Sequence, residues 1–250
     1  MSAMTAMTAV TWTEGKLFVR DAGNLFFAIV FPGMLLAILG LAMPDFTTPL
    51  PELGGLRVVD IYLPVVLGMA IATVGITTLP QYVASYREKG VLRRFATTPL
   101  GATRLLVAQI LVQGLALVVA VALAVTIGMV LFDISAPSNI VAAVLAVVLA
   151  LVGVAAVGML IAALAPSARV AAGISMLVFF PLLVVAGVWT PGPAMPDVLA
   201  TIGEYTPVGA GVQGLQEAFA GNWPSMLQIV VPVVWAVVAG GLAAKFFRWN

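Results

Sequence analysis

Long apolar runs separated by short polar stretches make up most of this chain. Cutting the sequence at its charged residues leaves six uncharged segments, each longer than the roughly 20 residues that a helix needs to cross about 30 Å of hydrocarbon. These segments are Ala22–Pro44, Ile61–Tyr86, Leu105–Phe132, Ile134–Ala168, Val170–Pro196 and Ala218–Ala244. They are continuously apolar rather than alternating, which favours helices over the strands of a membrane barrel.

The pattern therefore predicts an all-α integral membrane protein with six transmembrane helices. We expect one transmembrane domain over residues 1–250, with spans at about residues 24–43, 61–84, 104–132, 139–165, 169–189 and 225–245. The composition agrees, because 62% of the residues are hydrophobic and only 8% are charged. A soluble domain, with about 25% charged residues on average, could not cover its surface with so few charges.

The distribution of basic residues predicts the orientation of the spans. If both termini are cytoplasmic, ten of the eleven Lys and Arg residues fall on the cytoplasmic side and only Arg57 falls outside. Such a bias is typical of membrane proteins, and it requires an even number of spans. The first ten residues lack the positive start of a secretory signal, so we expect them to remain as a cytoplasmic tail.

Two segments outside the spans are predicted to be helical. Residues 11–21 mix Trp12 and Phe18 with charged residues, which predicts an amphipathic helix lying along the cytoplasmic interface. Residues 187–196 hold three prolines and two glycines, which end the fifth span. The moderately apolar stretch that follows predicts one or two re-entrant outer helices before the last span.

The sequence offers little for catalysis or metal binding. It contains no His and no Cys, which removes the commonest metal ligands, thiol nucleophiles and the usual neutral-pH base. The acids lie mostly between spans, without a second acid at useful spacing. No G-x-x-x-x-G-K-[ST] motif is present to hold ATP phosphates. We therefore predict that the chain is not itself an enzyme.

A polar stripe follows one face of the second predicted span. Thr73, Thr77 and Gln81 are four residues apart and would lie on one side of a helix. Such a stripe avoids lipid, so it either contacts a neighbouring helix or lines a substrate path. The uncharged segments hold no Asp, Glu or Arg for a proton or ion relay, which disfavours the alternative of a secondary transporter or channel.

The most informative stretch joins the second and third spans. It holds five of the eleven basic residues, and on a helix Val91, Leu92 and Phe95 would share one side with Glu88. Thr98 followed by Pro99 is typical of a helix N-cap and first turn. One interpretation is that the charges only set topology and contact anionic lipid. The other is that the stretch binds a partner protein.

Two motifs carry a family resemblance. Arg87-Glu88-Lys89-Gly90-Val91-Leu92, followed by Thr98-Pro99-Leu100, resembles the signature loop of type-2 ABC transporter permeases, which include daunorubicin-type drug exporters and lipid or polysaccharide exporters. The segment with Trp189, Pro191, Met195-Pro196 and Tyr205-Thr206-Pro207 is similar to the family's outer region before its last helix. This chain has Arg93-Arg94 where the family often has a second acid.

The resemblance implies a transport subunit that works with other chains. The implied partners are cytoplasmic ATPase subunits, a second permease (a copy or a paralogue) and membrane lipid, with no nucleic acid. It implies no cofactor on this chain, with ATP and Mg on the ATPase, and a multi-pass location in the plasma membrane, as in a bacterial inner membrane. A membrane assembly protein without an ATPase partner is a further alternative.

The resemblance also implies roles for particular residues. The coupling helix to the ATPase would run from Arg87 to Ala96, with contacts from Arg87, Glu88, Lys89, Gly90, Val91, Leu92, Phe95 and Pro99. Near the axis of the implied dimer, the expected substrate path combines Thr73, Thr77 and Gln81 with Met176, Phe179 and Phe180. Few hydroxyls and several aromatics suit export of a hydrophobic or amphiphilic drug, natural product or lipid.

Overall fold

The computed structural model describes residues 3–51, 55–97, 101–190 and 195–247. Within these residues the chain forms ten helices and one 3₁₀ turn at Pro44–Phe46. The helices are α1 Ala3–Arg20, α2 Ala22–Ala42, α3 Val58–Glu88, α4 Val91–Ala96, α5 Gly101–Phe132, α6 Ile140–Leu164, α7 Ala168–Val185, α8 Asp197–Glu204, α9 Pro207–Phe219 and α10 Met226–Phe246.

Six of these helices are long and apolar enough to cross a membrane, which confirms the predicted number. They are α2, α3, α5, α6, α7 and α10. Helix α3 differs from the rest, because 89% of its most apolar stretch is buried, against 17–33% in the other five. The bundle is therefore built around α3, and the other spans each keep an apolar face on the outside of the bundle.

Helices α3 and α6 cross at two glycines. A Cβ atom built on Gly158 would overlap the carbonyl oxygen of Gly75, and one on Gly75 would lie 2.6 Å from a methyl of Val154. Side chains at either position would push the two backbones apart. Apolar side chains gain little from leaving lipid for a helix contact, so close backbone approach is a main source of attraction between spans.

Both α2 and α3 contain a π-helical segment that precedes a proline. The segments are Phe26–Val30, followed by Pro32, and Thr73–Thr78, followed by Pro80. Proline lacks an N–H and its ring collides with the carbonyl four residues earlier, which the wider π turn avoids. In α3, the Leu79 N–H accordingly donates to the Val74 carbonyl, five residues back.

Two short helices occupy the chain before the last span. Helix α9 packs between α3, α6 and α10, with Val208, Val212 and Leu215 almost fully buried. The Thr206 hydroxyl accepts a hydrogen bond from the Gly209 N–H at 3.0 Å and so caps the helix. The depth of α8 and α9 in the membrane remains a prediction, and residues 191–194 before them lie outside the described chain.

The predicted continuous helix from Arg87 to Ala96 is wrong. Helix α3 ends at Glu88, a two-residue turn follows, and α4 begins at Val91. Gly90 has φ +66°, a left-handed conformation that glycine adopts without a steric penalty, and this interrupts the helix between Glu88 and Val91. The predicted cap at Thr98 and Pro99 lies outside the described residues.

The N-terminal helix is longer than the predicted segment of residues 11–21. Helix α1 begins at Ala3, ends at Arg20 and packs against α5, with Glu14 and Phe18 buried. Asp21 separates it from α2, since its carboxylate accepts a hydrogen bond from the Asn24 N–H at 3.2 Å. Its placement at a membrane interface stays a prediction.

The helix crossing gives a stability prediction. Gly158→Ala should lower the free energy of unfolding by about 1–3 kcal/mol, because the new methyl overlaps the Gly75 carbonyl. Gly114→Ala in α5 is the control, since a Cβ there meets no atom within 4 Å and alanine favours a helix. Thermal unfolding in detergent measures both, and equal melting temperatures would contradict the proposed crossing.

Candidate functional site

Arg87 joins the end of α3 to the end of α6. Its guanidinium donates hydrogen bonds to the carbonyl oxygens of Ala163, at 3.3 Å, and of Ala165. Helix α6 ends at Leu164, so its last carbonyls have few partners within the helix. A cation at a helix C-terminus also interacts favourably with the helix dipole. Arg87 therefore acts as a cap supplied by a neighbouring helix.

Glu88 caps the N-terminus of the following helix, α7. Its carboxylate accepts a hydrogen bond from the backbone N–H of Ala168, at 2.9 Å. Ala168 is the first residue of α7, where unpaired N–H groups and the positive end of the dipole favour an anion. Two consecutive residues of α3 thus hold both sides of the α6–α7 turn.

The apolar residues of α4 face the chain itself. Leu92 is 0% exposed and packs with Leu105 of α5, which is 1% exposed. Val91, Phe95 and Phe247 are partly buried around this pair. Helix α4 is therefore fixed to the start of α5 and the end of α10. The outward side of the loop carries Glu88, Lys89, Arg93 and Arg94, which are exposed and which we call the basic surface.

Helix α1 is fixed to the same end of α3 by two tyrosines. The Tyr86 hydroxyl donates to the buried carboxylate of Glu14, and the Tyr82 hydroxyl donates to Asp21 at 3.2 Å. Burial raises the pKa of Glu14, and the hydrogen bond from Tyr86 opposes part of that shift. Sequence reasoning missed these two hydrogen bonds, although an acid such as Glu14 among the apolar residues of α1 indicates a buried hydrogen-bond partner.

The opposite end of α3 carries a second arginine cap. Arg57 forms a salt bridge of 2.7 Å with Asp60 and donates a hydrogen bond of 2.7 Å to the carbonyl oxygen of Phe132, where α5 ends. The Asp60 carboxylate also accepts from the Arg57 backbone N–H at 3.0 Å, which caps α3. The cap holds the start of α3 against the end of α5.

A cavity of about 720 Å³ lies between α2, α3 and α7. Its lining is almost entirely apolar, and several lining side chains are about half-exposed, so the cavity opens on the side of the bundle. The lining residues are Phe27, Phe31, Leu35, Leu39, Met43, Asp45, Phe46, Val58, Tyr62, Met69, Thr73, Thr77, Met176, Phe179, Phe180, Leu183, Val188 and Trp189.

The structure brings five of the six expected path residues together in this cavity. Thr73, Thr77, Met176, Phe179 and Phe180 line it, whereas Gln81 does not. The π segment Thr73–Thr78 explains the difference, because an extra residue in the turn rotates the following helix by about 100°. Residues spaced by four therefore no longer share one side of the helix after Thr77, and Gln81 lies on another side.

The cavity offers few polar groups to a ligand. The hydroxyl of Thr73 donates to the Met69 carbonyl at 2.8 Å, and that of Thr77 donates to the Thr73 carbonyl. Each oxygen keeps a lone pair and can accept a hydrogen bond. Among the described lining residues Asp45 alone is charged, and it lies in the 3₁₀ turn after α2, at the other end of α2 from α1. The chemistry suits a largely apolar compound.

Most of the residues described above fall within a family match. The model of the ABC-2 type transporter family matches residues 5–220, which is most of the chain. The matched region includes α1 from its third residue onward, the basic surface, the cavity-lining residues named above and both helices before the last span. No curated protein shows significant similarity to the chain.

The arginine cap at the α6–α7 turn predicts a selective loss of stability. Arg87→Gln should lower the free energy of unfolding by about 2 kcal/mol, because the α6 carbonyls lose a charged donor. Arg93→Gln removes the same charge from the exposed side of α4 and should change it by less than about 0.5 kcal/mol. Chemical unfolding in mixed micelles compares the two, and equal losses would argue against the cap.

Proposed function

We propose that this chain, which belongs to the ABC-2 type transporter family, is the membrane subunit of an ATP-driven exporter of hydrophobic or amphiphilic compounds. The family supplies the class of protein, a multi-pass permease. The observation that carries the substrate class is the apolar cavity between α2, α3 and α7. An ATP motor on a separate chain would drive transport, with ATP and Mg bound there.

The basic surface is the proposed binding site of the ATPase. The bias of Lys and Arg along the chain supports a cytoplasmic position for this end of the bundle. Arg93 and Arg94 are exposed on the short helix α4, and Lys89 is exposed in the turn before it, where Gly90 has a left-handed conformation. Leu92, Val91 and Phe95 hold that helix to the permease from behind. An acidic cleft on the ATPase would complement this charge.

The capped turn provides a route from this surface to the cavity. If nucleotide binding moves α4, the Leu92–Leu105 contact would move α5 with it. The end of α3 is joined to α4 by a two-residue turn and would move as well. Its Arg87 and Glu88 would then move the ends of α6 and α7. Packed helices commonly shift as rigid units in such transitions. Because α7 forms one wall of the cavity, this movement would change access to it.

The open side of the cavity is the proposed contact with a second permease. Phe27, Phe180 and Trp189 line the cavity and are about half-exposed. A copy or paralogue facing this side would enclose a shared path between the two chains, as the family implies. The compound would enter from the cytoplasm or inner leaflet and leave at the end that carries Asp45. Apolar walls with hydroxyl acceptors suit neutral or weakly cationic amphiphiles.

Charge reversal on α4 tests the ATPase contact. Arg93→Glu with Arg94→Glu should abolish co-purification of the co-expressed ATPase subunit, because like charges would then face its acidic cleft. Lys245→Glu, an exposed basic residue at the end of α10, should leave the complex intact. Co-elution of the ATPase subunit with the affinity-tagged chain from detergent is the measurement. An intact complex in the double variant would contradict docking on this surface.

A bulky side chain in the cavity tests the substrate path. Met176→Trp should lower export several-fold, since Met176 lines the cavity and indole is larger than the thioether chain. Leu177→Trp is the matched control, because Leu177 is 76% exposed and does not line the cavity. Efflux of a neutral fluorescent amphiphile from cells compares the two variants. Equal efflux would place the path elsewhere, while ATPase binding remains a separate question.

A further inference from the structure

A second groove lies on the other side of α2, between α1 and α5. It has a volume of about 910 Å³ and shares no lining residue with the cavity described above. Its apolar wall comes from α5, where Leu111, Leu115 and Val119 follow one another at intervals of four and are half-exposed. Leu25 and Ile29 of α2 complete the floor. The groove is thus long, apolar and open to the surroundings.

One edge of the groove is basic. Trp12, Lys16 and Arg20 are also spaced by four and form a stripe along α1. The Lys16 ammonium lies 5.2 Å from the centre of the Trp12 ring, a cation–π distance. None of the lining residues that the structure describes is an Asp or Glu. The two acids nearest in sequence are engaged elsewhere, Glu14 by Tyr86 and Asp21 by Asn24 and Tyr82.

We propose that this groove binds an anionic phospholipid, with an acyl chain along α5 and the phosphate at Lys16 and Arg20. The charge pattern selects this occupant, because a basic edge above an apolar floor matches an amphiphile with a negative head group. Trp12, which is 68% exposed, belongs at the level of lipid head groups. Gly15 lines the groove and leaves it open, because the space that its side chain would occupy is empty and a Cβ there would meet no atom within 4 Å.

The bound lipid would stabilise α1 from the side opposite the tyrosine contacts. Glu14 and Phe18 hold α1 to the bundle, and Glu14 is bonded to Tyr86 near the end of α3. A lipid wedged between α1 and α5 would therefore act on the same end of α3 that carries Arg87 and Glu88. The charge of the membrane would in this way influence the region next to the basic surface.

Quenching of Trp12 by brominated lipid tests the site. The full chain is placed in phosphatidylcholine nanodiscs with increasing dibrominated phosphatidylglycerol or dibrominated phosphatidylcholine, and the Trp12 signal is taken as the difference from Trp12→Phe. Phosphatidylglycerol should quench at a lower mole fraction. Lys16→Gln and Arg20→Gln should each raise the half-quenching mole fraction about five-fold, the equivalent of ~1 kcal/mol.

Two further variants distinguish binding in the groove from a general attraction of anionic lipid to the basic residues of the protein. Lys245→Gln with Arg169→Gln removes two exposed charges outside the groove and should leave the preference unchanged. Gly15→Leu should reduce maximal quenching by both lipids, because its side chain fills the groove while every charge is kept. Equal quenching by both lipids in the natural chain would overturn the proposal. The proposal would also be overturned if the Lys245→Gln, Arg169→Gln variant lost the phosphatidylglycerol preference as much as Lys16→Gln does. Full quenching of Trp12 in Gly15→Leu would overturn it too.

Discussion

The backbone groups at helix ends must find hydrogen-bond partners, and in this bundle α3 supplies many of them through charged side chains. Arg87 caps α6, Glu88 caps α7, and Arg57 caps α5 at the other end. The hydrocarbon of a membrane offers no water as a substitute partner, so an unpaired carbonyl costs more there than on the surface of a soluble protein. The charges at the ends of the most buried helix therefore fix how its neighbours are arranged.

With its ends fixed, α3 can depart from regular helix geometry in the middle. The π segment at Thr73–Thr78 accommodates Pro80, and the hydroxyls of Thr77 and Thr78 both donate to the Thr73 carbonyl. Close packing of Gly75 against α6 supports this stretch on one side. The other side borders the cavity, so the irregular part of α3 coincides with the proposed path.

The motif that carries the family resemblance has a double use in this structure. Arg87 and Glu88 were expected to contact a partner, yet their side chains bond to the α6–α7 turn of the same chain. Leu92 likewise packs inward on Leu105. What remains outward without such a bond, within the residues that the structure describes, is the rest of the basic surface, Lys89, Arg93 and Arg94. A loop that binds its own permease firmly is suited to transmit movement received from outside.

The sequence by itself determined the class, the six spanning helices and the place of the basic loop, because the length of an apolar run is a local property set by the thickness of hydrocarbon. It also pointed to Thr73 and Thr77. Only the tertiary structure decided that Gln81 leaves their face, since a π turn shifts the register after it. It likewise decided the partners of Arg87 and Glu88, which lie about eighty residues further along the chain. Hydrogen bonds between distant helix ends depend on how whole helices pack, and no local pattern encodes that.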